Sequence, residues 1–278
     1  MEKTLEEYRE AAREVYDRLR LPSAPVAVRF ITDDDEIPAG FLQPSAMGQK
    51  WSLCQAFTFA RKNKGNVAMT ARDNFCLAST LAQGWVKLPL DDLIESQILN
   101  KWRLDLTAEL RVQGLFIEVA SPEIQAIIQT HRGFLAAPAT RAPFVPHSVL
   151  FYGNPGQITH AIQALSYDGK NLCRSAFNGY AESCIKGALL PHVTGKPQVV
   201  IPGAGDRAFS NTGDDEMALG VPGPVLFSLR QNLFKSGLEF NLGYPVAAPL
   251  VGHLTEDILP GWTYIKKRLE EEGRPLGG

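Results

Sequence analysis

The chain has 278 residues, 45% of them hydrophobic and 21% charged, with a formal net charge of −2. That length admits one large core or two intimate halves, and lysines and arginines scattered rather than striped argue against a nucleic-acid partner. No apolar run approaches the roughly 18–20 residues that span a bilayer, and the charged first segment lacks the apolar core of an export signal, so the sequence predicts a cytoplasmic protein with no membrane partner.

The predicted elements follow in chain order. Leu5, Tyr8, Ala12, Val15, Tyr16 and Leu19 recur at helical spacing among charges, so residues 2–20 read as a surface helix ended by Pro22 and Pro25. The β-branched run PVAVRFI (25–31) reads as a strand. The stretch TDDDEIPAGFLQPSAMGQKW that follows is rich in proline, glycine and acids and reads as a loop. A helix is expected from Ser52 to about Lys62, then a strand VAMTA at 67–71, with Cys76 just beyond. Three later stretches, 115–130, 149–165 and 217–233, share one form: a β-rich run, a proline turn, then a helical pattern. This alternation predicts an α/β protein with a mixed sheet and packed helices. A last short helix and a Gly/Pro-rich tail close the chain.

The same reading divides the chain into an N-terminal helix (1–24), one α/β domain (25–250), and a C-terminal helix with its tail (251–278). The domain admits an internal duplication, with halves at about 25–140 and 141–250. Laying residue 54 over residue 162 without gaps matches Gln55/Gln163, Ala56/Ala164, Lys62/Lys170, Asn63/Asn171, Ala68/Ala176, Cys76/Cys184 and Leu81/Leu189. A duplication in that register places Cys76 and Cys184 at equivalent positions.

Four cysteines in a chain of this kind are expected to be free, metal-bound or redox-active rather than disulfide-paired. Convergent thiolates suit zinc or an iron–sulfur cluster. Cys54, Cys76 and Cys184 are the candidates, with Cys173 a weaker fourth; no C-x-x-C pair is present, so the ligands would have to come from separate loops. Against this stands the reading of small buried apolar side chains, which free cysteines often are. Among His131, His147, His160, His192 and His253, His192 is the candidate ligand or general base, and His160 is expected at the surface of a helix. The segment 201–224 is the most unusual polar stretch. There Asp206 and Arg207 are candidate catalytic residues: they can pair, or Arg207 can hold a carboxylate or phosphate with its planar fork. Asp214, Asp215 and Glu216 can cap an element or bind a cation. A structural Asp–Arg pair closing a long loop is the competing reading. Trp51, Trp85, Trp102 and Trp262 are expected in the core or an interface. No Walker, zinc-protease or nucleophile-elbow motif is present.

The series PVAVRF, EIPAG, CQAFTFAR, the Cys76 segment, ESCIKGALLPHVTGKP and GDRAFSNTGDDEMALGVP, covering about 25–235, resembles domain-of-unknown-function family 169, the archaeal conserved region family. The resemblance implies that Cys54, Cys76, Cys184, Asp206, Arg207, Asp215 and Glu216 are family positions, whereas Cys173 matches no landmark. It also implies a type of protein common in anaerobes, which suits an oxygen-sensitive cluster, but it names no reaction. The expected function is therefore a 4Fe–4S or other metal site on Cys54, Cys76 and Cys184 that binds or transforms a small anionic substrate, as in an iron–sulfur-dependent lyase or oxidoreductase. Alternatives are a metal-free binding or assembly protein with structural cysteines, and a non-covalent heme or tetrapyrrole protein, since C-x-x-C-H is absent. A homo-oligomer is compatible with each.

Overall fold

The computed structural model of the protein describes residues 3–85, 121–177, 179, 181–236 and 260–274. The chain forms two compact units, Met1–Gly243 and Tyr244–Gly278. Among the described residues of the second unit is one helix, Pro260–Glu271.

The first unit opens with α1 (Leu5–Leu19), whose Thr4 and Glu7 close a capping box. Tyr8, Ala11, Ala12, Val15 and Leu19 make its buried stripe. Then follow β1 (Val26–Ile31), α2 (Leu53–Lys62), β2 (Val67–Thr70), α3 (Leu77–Ala82), α4 (Pro122–Ile128) and β3 (Gly133–Pro138). The expected loop between β1 and α2 contains a short 3₁₀ turn, Pro44–Met47. Next come β4 (Ser148–Gly153) and α5 (Pro155–Ser166), then a π-helix (Glu182–Leu189) that continues into α6 (Leu190–Thr194). The unit closes with β5 (Gln198–Val200), α7 (Ala204–Ser210), β6 (Met217–Pro222) and α8 (Val225–Asn232). Two of the three strand–proline–helix stretches are thus β4–α5 and β6–α8. In the third, the helix is α4 and the expected strand before it lies outside the described residues.

The strands form one six-stranded sheet in the order β2-β3-β1-β4-β6-β5. Every adjacent pair is antiparallel. The order is palindromic about the central β1–β4 pair: outward from it, each side shows the first, third and second strand of its own half. The gapless register of residue 54 over residue 162 does not follow this order. It lays Val67–Met69 of β2 over residues 175–177, which carry no strand, whereas the counterpart of β2 in the sheet is β5. Segments of different length between the strands in the two halves make a single gapless offset fail.

Helices cover both faces, which is why β3 and β4 are buried at every position. Ala27, Leu135, Val149, Phe151, Leu219 and Val221 face α1, α5 and α8. Val28, Phe30, Phe134, Leu150, Tyr152 and Ala218 face α2 and the π-helix. His160, expected at the surface, is 3% exposed. It lies on the core side of α5 with Gln157, Ala161 and Ala164, positions that recur at helical spacing. On the other face the π-helix backbone packs directly on β6: a Cβ at Gly220 would sit 2.0 Å from the Gly187 carbonyl oxygen. Pro191, at the start of α6, supplies no N–H to the helical ladder, and the wide π turns precede it.

Candidate metal centre

The second face of the sheet brings Cys54, Cys76 and Cys184 into one region. Each comes from the start of a different helix. Ser52 caps α2: its hydroxyl accepts from Gln55 N–H at 3.3 Å while its own N–H donates to Gln55 Oε1 at 2.8 Å. This box sets Cys54 in the first turn, where its Sγ shares a 3.0 Å hydrogen bond with Ser52 Oγ and donates to the Gly205 carbonyl at 3.5 Å.

Cys76 is held beside it by backbone pairing. Trp51 N–H donates to the Asp73 carbonyl at 2.8 Å, and Phe75 N–H donates to the Trp51 carbonyl at 3.2 Å. Asn74 then clamps the start of α3: its Oδ1 accepts from Cys76 N–H at 3.0 Å, and its amide donates to Ser79 Oγ at 2.9 Å and Thr80 Oγ1 at 2.8 Å. Cys184 lies in the first turn of the π-helix, 7% exposed, with Sγ donating to the Ala181 carbonyl at 3.6 Å. Gln83, after α3, donates to the Cys184 carbonyl at 3.3 Å.

Asp206 completes the group. It stands in the first turn of α7, 3% exposed, and its Oδ2 accepts from Gly203 N–H at 3.0 Å. Its carboxylate also lies against the N–H and hydroxyl of Ser183, the residue before Cys184. Even so, Asp206 Oδ1 and Ser183 Oγ complete no well-aligned hydrogen bond. Gly203 has to be glycine, because a Cβ there would stand 2.7 Å from the Gly179 carbonyl oxygen. Tyr152, buried in β4, lies close enough to feel Asp206, Ser183 and Cys54. The Arg61 guanidinium covers its ring at 4.1 Å.

The electrostatics disfavour bare thiolates. Burial, then the neighbouring Asp206, pushes the Cys54 thiol up to about 12, against the Ser52 hydrogen bond that lowers it. Burial, then Cys76, Cys54 and Asp206, pushes the Cys184 thiol well above its ordinary value. Asp206 is itself raised, chiefly by burial. Asp206 and Cys76 thus oppose ionisation of both Cys54 and Cys184, a potential that a bound cation would relieve. Among the described residues, no three His, Cys, Asp or Glu side chains converge tightly enough to hold a single metal ion. For tetrahedral zinc, thiolate sulfurs must stand about 3.8 Å apart.

The other predicted residues lie elsewhere. Cys173 packs on the opposite face of the sheet, beside the α1–α5–α8 core, and burial alone raises its thiol to about 11. Arg207 does not pair with Asp206. Its guanidinium donates to the Gly213 carbonyl at 2.6 Å and to Asp214 at 3.1 Å, closing the loop before β6. Glu216 takes up Arg61, at 2.5 and 3.0 Å, and accepts from Gly213 N–H at 2.8 Å. His192 belongs to a stack of rings: it lies parallel to His147 at 4.3 Å and to Phe30 at 5.0 Å, and Phe30 stacks on His131 at 4.8 Å. Burial lowers all three histidines, His131 and His192 to about 4 and His147 to about 3. His131 also lines a cavity of about 580 Å³ with Arg72, Trp85 and Arg132. Trp51 leans on Phe59; Trp102 and His253 lie outside the described residues.

Sequence reasoning passed over Tyr152, Ser183 and the buried pair Glu182–Lys186 at 3.4 Å. The i,i+4 spacing of Glu182 and Lys186 was a usable signal for that pair. Nothing in the run HSVLFYG distinguishes Tyr152 from an ordinary core tyrosine.

The model of domain-of-unknown-function family 169, described as "Uncharacterised ArCR", matches residues 14–229. The chain belongs to that family. The match takes in all three clustered cysteines and Asp206, and ends before the second unit begins. A curated relative is "Uncharacterized protein MJ0308" of Methanocaldococcus jannaschii, 22% identical over 219 residues, covering 78% of this chain and 89% of that protein. No solved structure matches the chain. Among the described residues, no helix is long and apolar enough to cross a membrane.

Proposed function

We propose that Cys54, Cys76 and Cys184 bind a 4Fe–4S cluster, or failing that another thiolate-bound metal, at which a small anionic substrate is bound or transformed. One observation carries the reading. Three cysteines far apart in sequence come to one electrostatically coupled place on one face of the sheet, Cys184 buried and Cys54 and Cys76 half-buried, while Cys173 sits on the other face. A cluster spreads its thiolates more widely than a single ion does, so it asks less of their convergence than zinc would. Three cysteines leave one metal position for a non-cysteine ligand or for substrate. An anion bound at Arg207 would displace Asp214, whose side chain is fully exposed.

The test is protein prepared without air. It should carry about four iron and four sulfide per chain, as one such cluster requires. Cys54→Ser, Cys76→Ser and Cys184→Ser should each lose most of the metal, because a hydroxyl is a much poorer soft ligand, while Cys173→Ser should keep it. Well under one iron per chain after reconstitution overturns the cluster, and about one zinc per chain moves the site to a structural ion.

A second reading is that of metal-free structural thiols. It is favoured by the hydrogen bonds of Cys54 to Gly205 and of Cys184 to Ala181, which a neutral thiol donates. Colourless, metal-free protein whose three cysteine variants differ only in stability supports it.

A further inference from the structure

Deepening the cluster reading, and resting on it, we infer that Asp206 is the fourth protein ligand of the site, bound through its Oδ1. The palindromic sheet supplies the first argument. In the first half α2 directly precedes the second strand, β2, and α3 directly follows it. In the second half the π-helix and α6 directly precede the second strand, β5, and α7 directly follows it. Cys54 and Cys184 therefore hold equivalent places, each in the first turn of the helix that leads into a second strand. Cys76 and Asp206 hold the other equivalent pair, each at the start of the helix that leaves one. Three of these four positions are cysteines and the fourth is a carboxylate.

The second argument is local. Helices of the two halves pack across each other: α2 against α7, and α3 against the π-helix. Asp206 is tied to both neighbouring thiol positions. Cys54 Sγ reaches the carbonyl of Gly205, the residue before Asp206, and Asp206 lies against Ser183, the residue before Cys184. Its Oδ2 is spent on Gly203 N–H, which fixes the carboxylate plane, while its Oδ1 is buried without a well-aligned partner. The Ser183 N–H and hydroxyl beside the carboxylate give that oxygen at best weak pairing, so a metal would supply the strong partner that it lacks.

A carboxylate is a harder donor than thiolate and binds iron of a cluster less firmly. The iron at Asp206 would thus be held in the resting protein yet remain exchangeable. This would reconcile a closed four-ligand site with one that takes up an anion.

The decisive variant is Asp206→Asn, because the amide oxygen can still accept from Gly203 N–H and preserve the start of α7. Full-length protein, loaded anaerobically and shown folded by circular dichroism, is oxidised mildly and its iron counted. Wild type should keep its four irons. Asp206→Asn should lose about one of four and show the electron paramagnetic resonance signal of a three-iron cluster. Asp206→Cys should restore retention. A merely structural Asp206 would change stability without changing cluster type.

Wild type labelled with ¹³C at aspartate carboxyls gives a reading that does not depend on any variant folding. Hyperfine coupling of that carbon to the reduced cluster is expected, and its absence overturns the inference. If wild type keeps its cluster, loss of Asp206 leaves it unchanged and no coupling is seen, Asp206 is not a ligand although the three-cysteine reading stands. Wild type that takes up no iron overturns both.

Discussion

The Arg61–Glu216 pair locks α2 to the loop that precedes β6, and so holds Cys54 against the Gly203–Asp206 turn. Removing one partner should have a large effect. The Arg61 side chain is 0% exposed and that of Glu216 13%, with N–O distances of 2.5 and 3.0 Å. The guanidinium also donates to Ser23 Oγ at 3.2 Å and Thr212 Oγ1 at 3.5 Å, while its Nε has no partner. Glu216→Gln keeps the volume and removes the countercharge, leaving a buried cation with a neutral amide oxygen, two weak hydroxyl partners and the face of the Tyr152 ring. Breaking a buried pair in this way costs about 3–5 kcal/mol. For a unit of this size that corresponds to a fall in Tm of about 6–20 °C. The assay is a urea titration and a thermal melt of both proteins at pH 7. Arg61→Met with Glu216→Leu should lose less than either single change, because no charge is then stranded.

The pH dependence has a definite sign. Burial alone would raise Glu216, but the Arg61 and Gly213 hydrogen bonds outweigh it and hold the carboxyl below its ordinary 4.5. A depressed carboxyl stabilises the fold fully above the unfolded value, and the contribution is lost as pH falls through the folded one. The gap between wild type and Glu216→Gln should therefore be constant above about pH 5 and close below about pH 4.5. A loss under about 1 kcal/mol at pH 7 would refute the reasoning, since it is the size expected of an exposed pair.

Further outcomes follow from other packed groups. Gly220→Ala should destabilise strongly, because the new methyl would stand 2.0 Å from the Gly187 oxygen and must push the π-helix off β6; an unchanged urea midpoint would show that this packing is loose. The three stacked histidines have folded pKa values of about 3 to 4, below the ordinary 6.5, so the unfolded chain binds more protons and stability should fall as pH drops from about 6.5 towards 4. His192→Phe keeps a ring in the stack and should flatten that acid limb, and melts from pH 7 to pH 4.5 read it directly. Arg207→Ala should lower Tm far less than any Arg61 variant, because its charged partner Asp214 is fully exposed; an equal loss would place Arg207 in a buried network.

Local physics made much of the fold legible in sequence. The apolar spacing of α1, the proline starts of α4 and α5, and the β-branched run of β1 each act within a few residues, so a linear reading finds them. The family landmarks likewise marked Cys54, Cys76, Cys184 and Asp206 without showing that they meet. Only the tertiary structure decided the rest. Strands buried on both faces, such as β3 and β4, carry no alternation, so nothing in them tells which face meets which helix, and their antiparallel order depends on pairings between distant segments. That order puts Cys173 across the sheet from the other thiols and turns Arg207 towards Asp214. It also sets Tyr152 and Ser183 beside Asp206. Helical spacing gives a residue its face on one helix, but which side chains then share a buried pocket is a property of the packing between elements, and no single segment of the chain contains it.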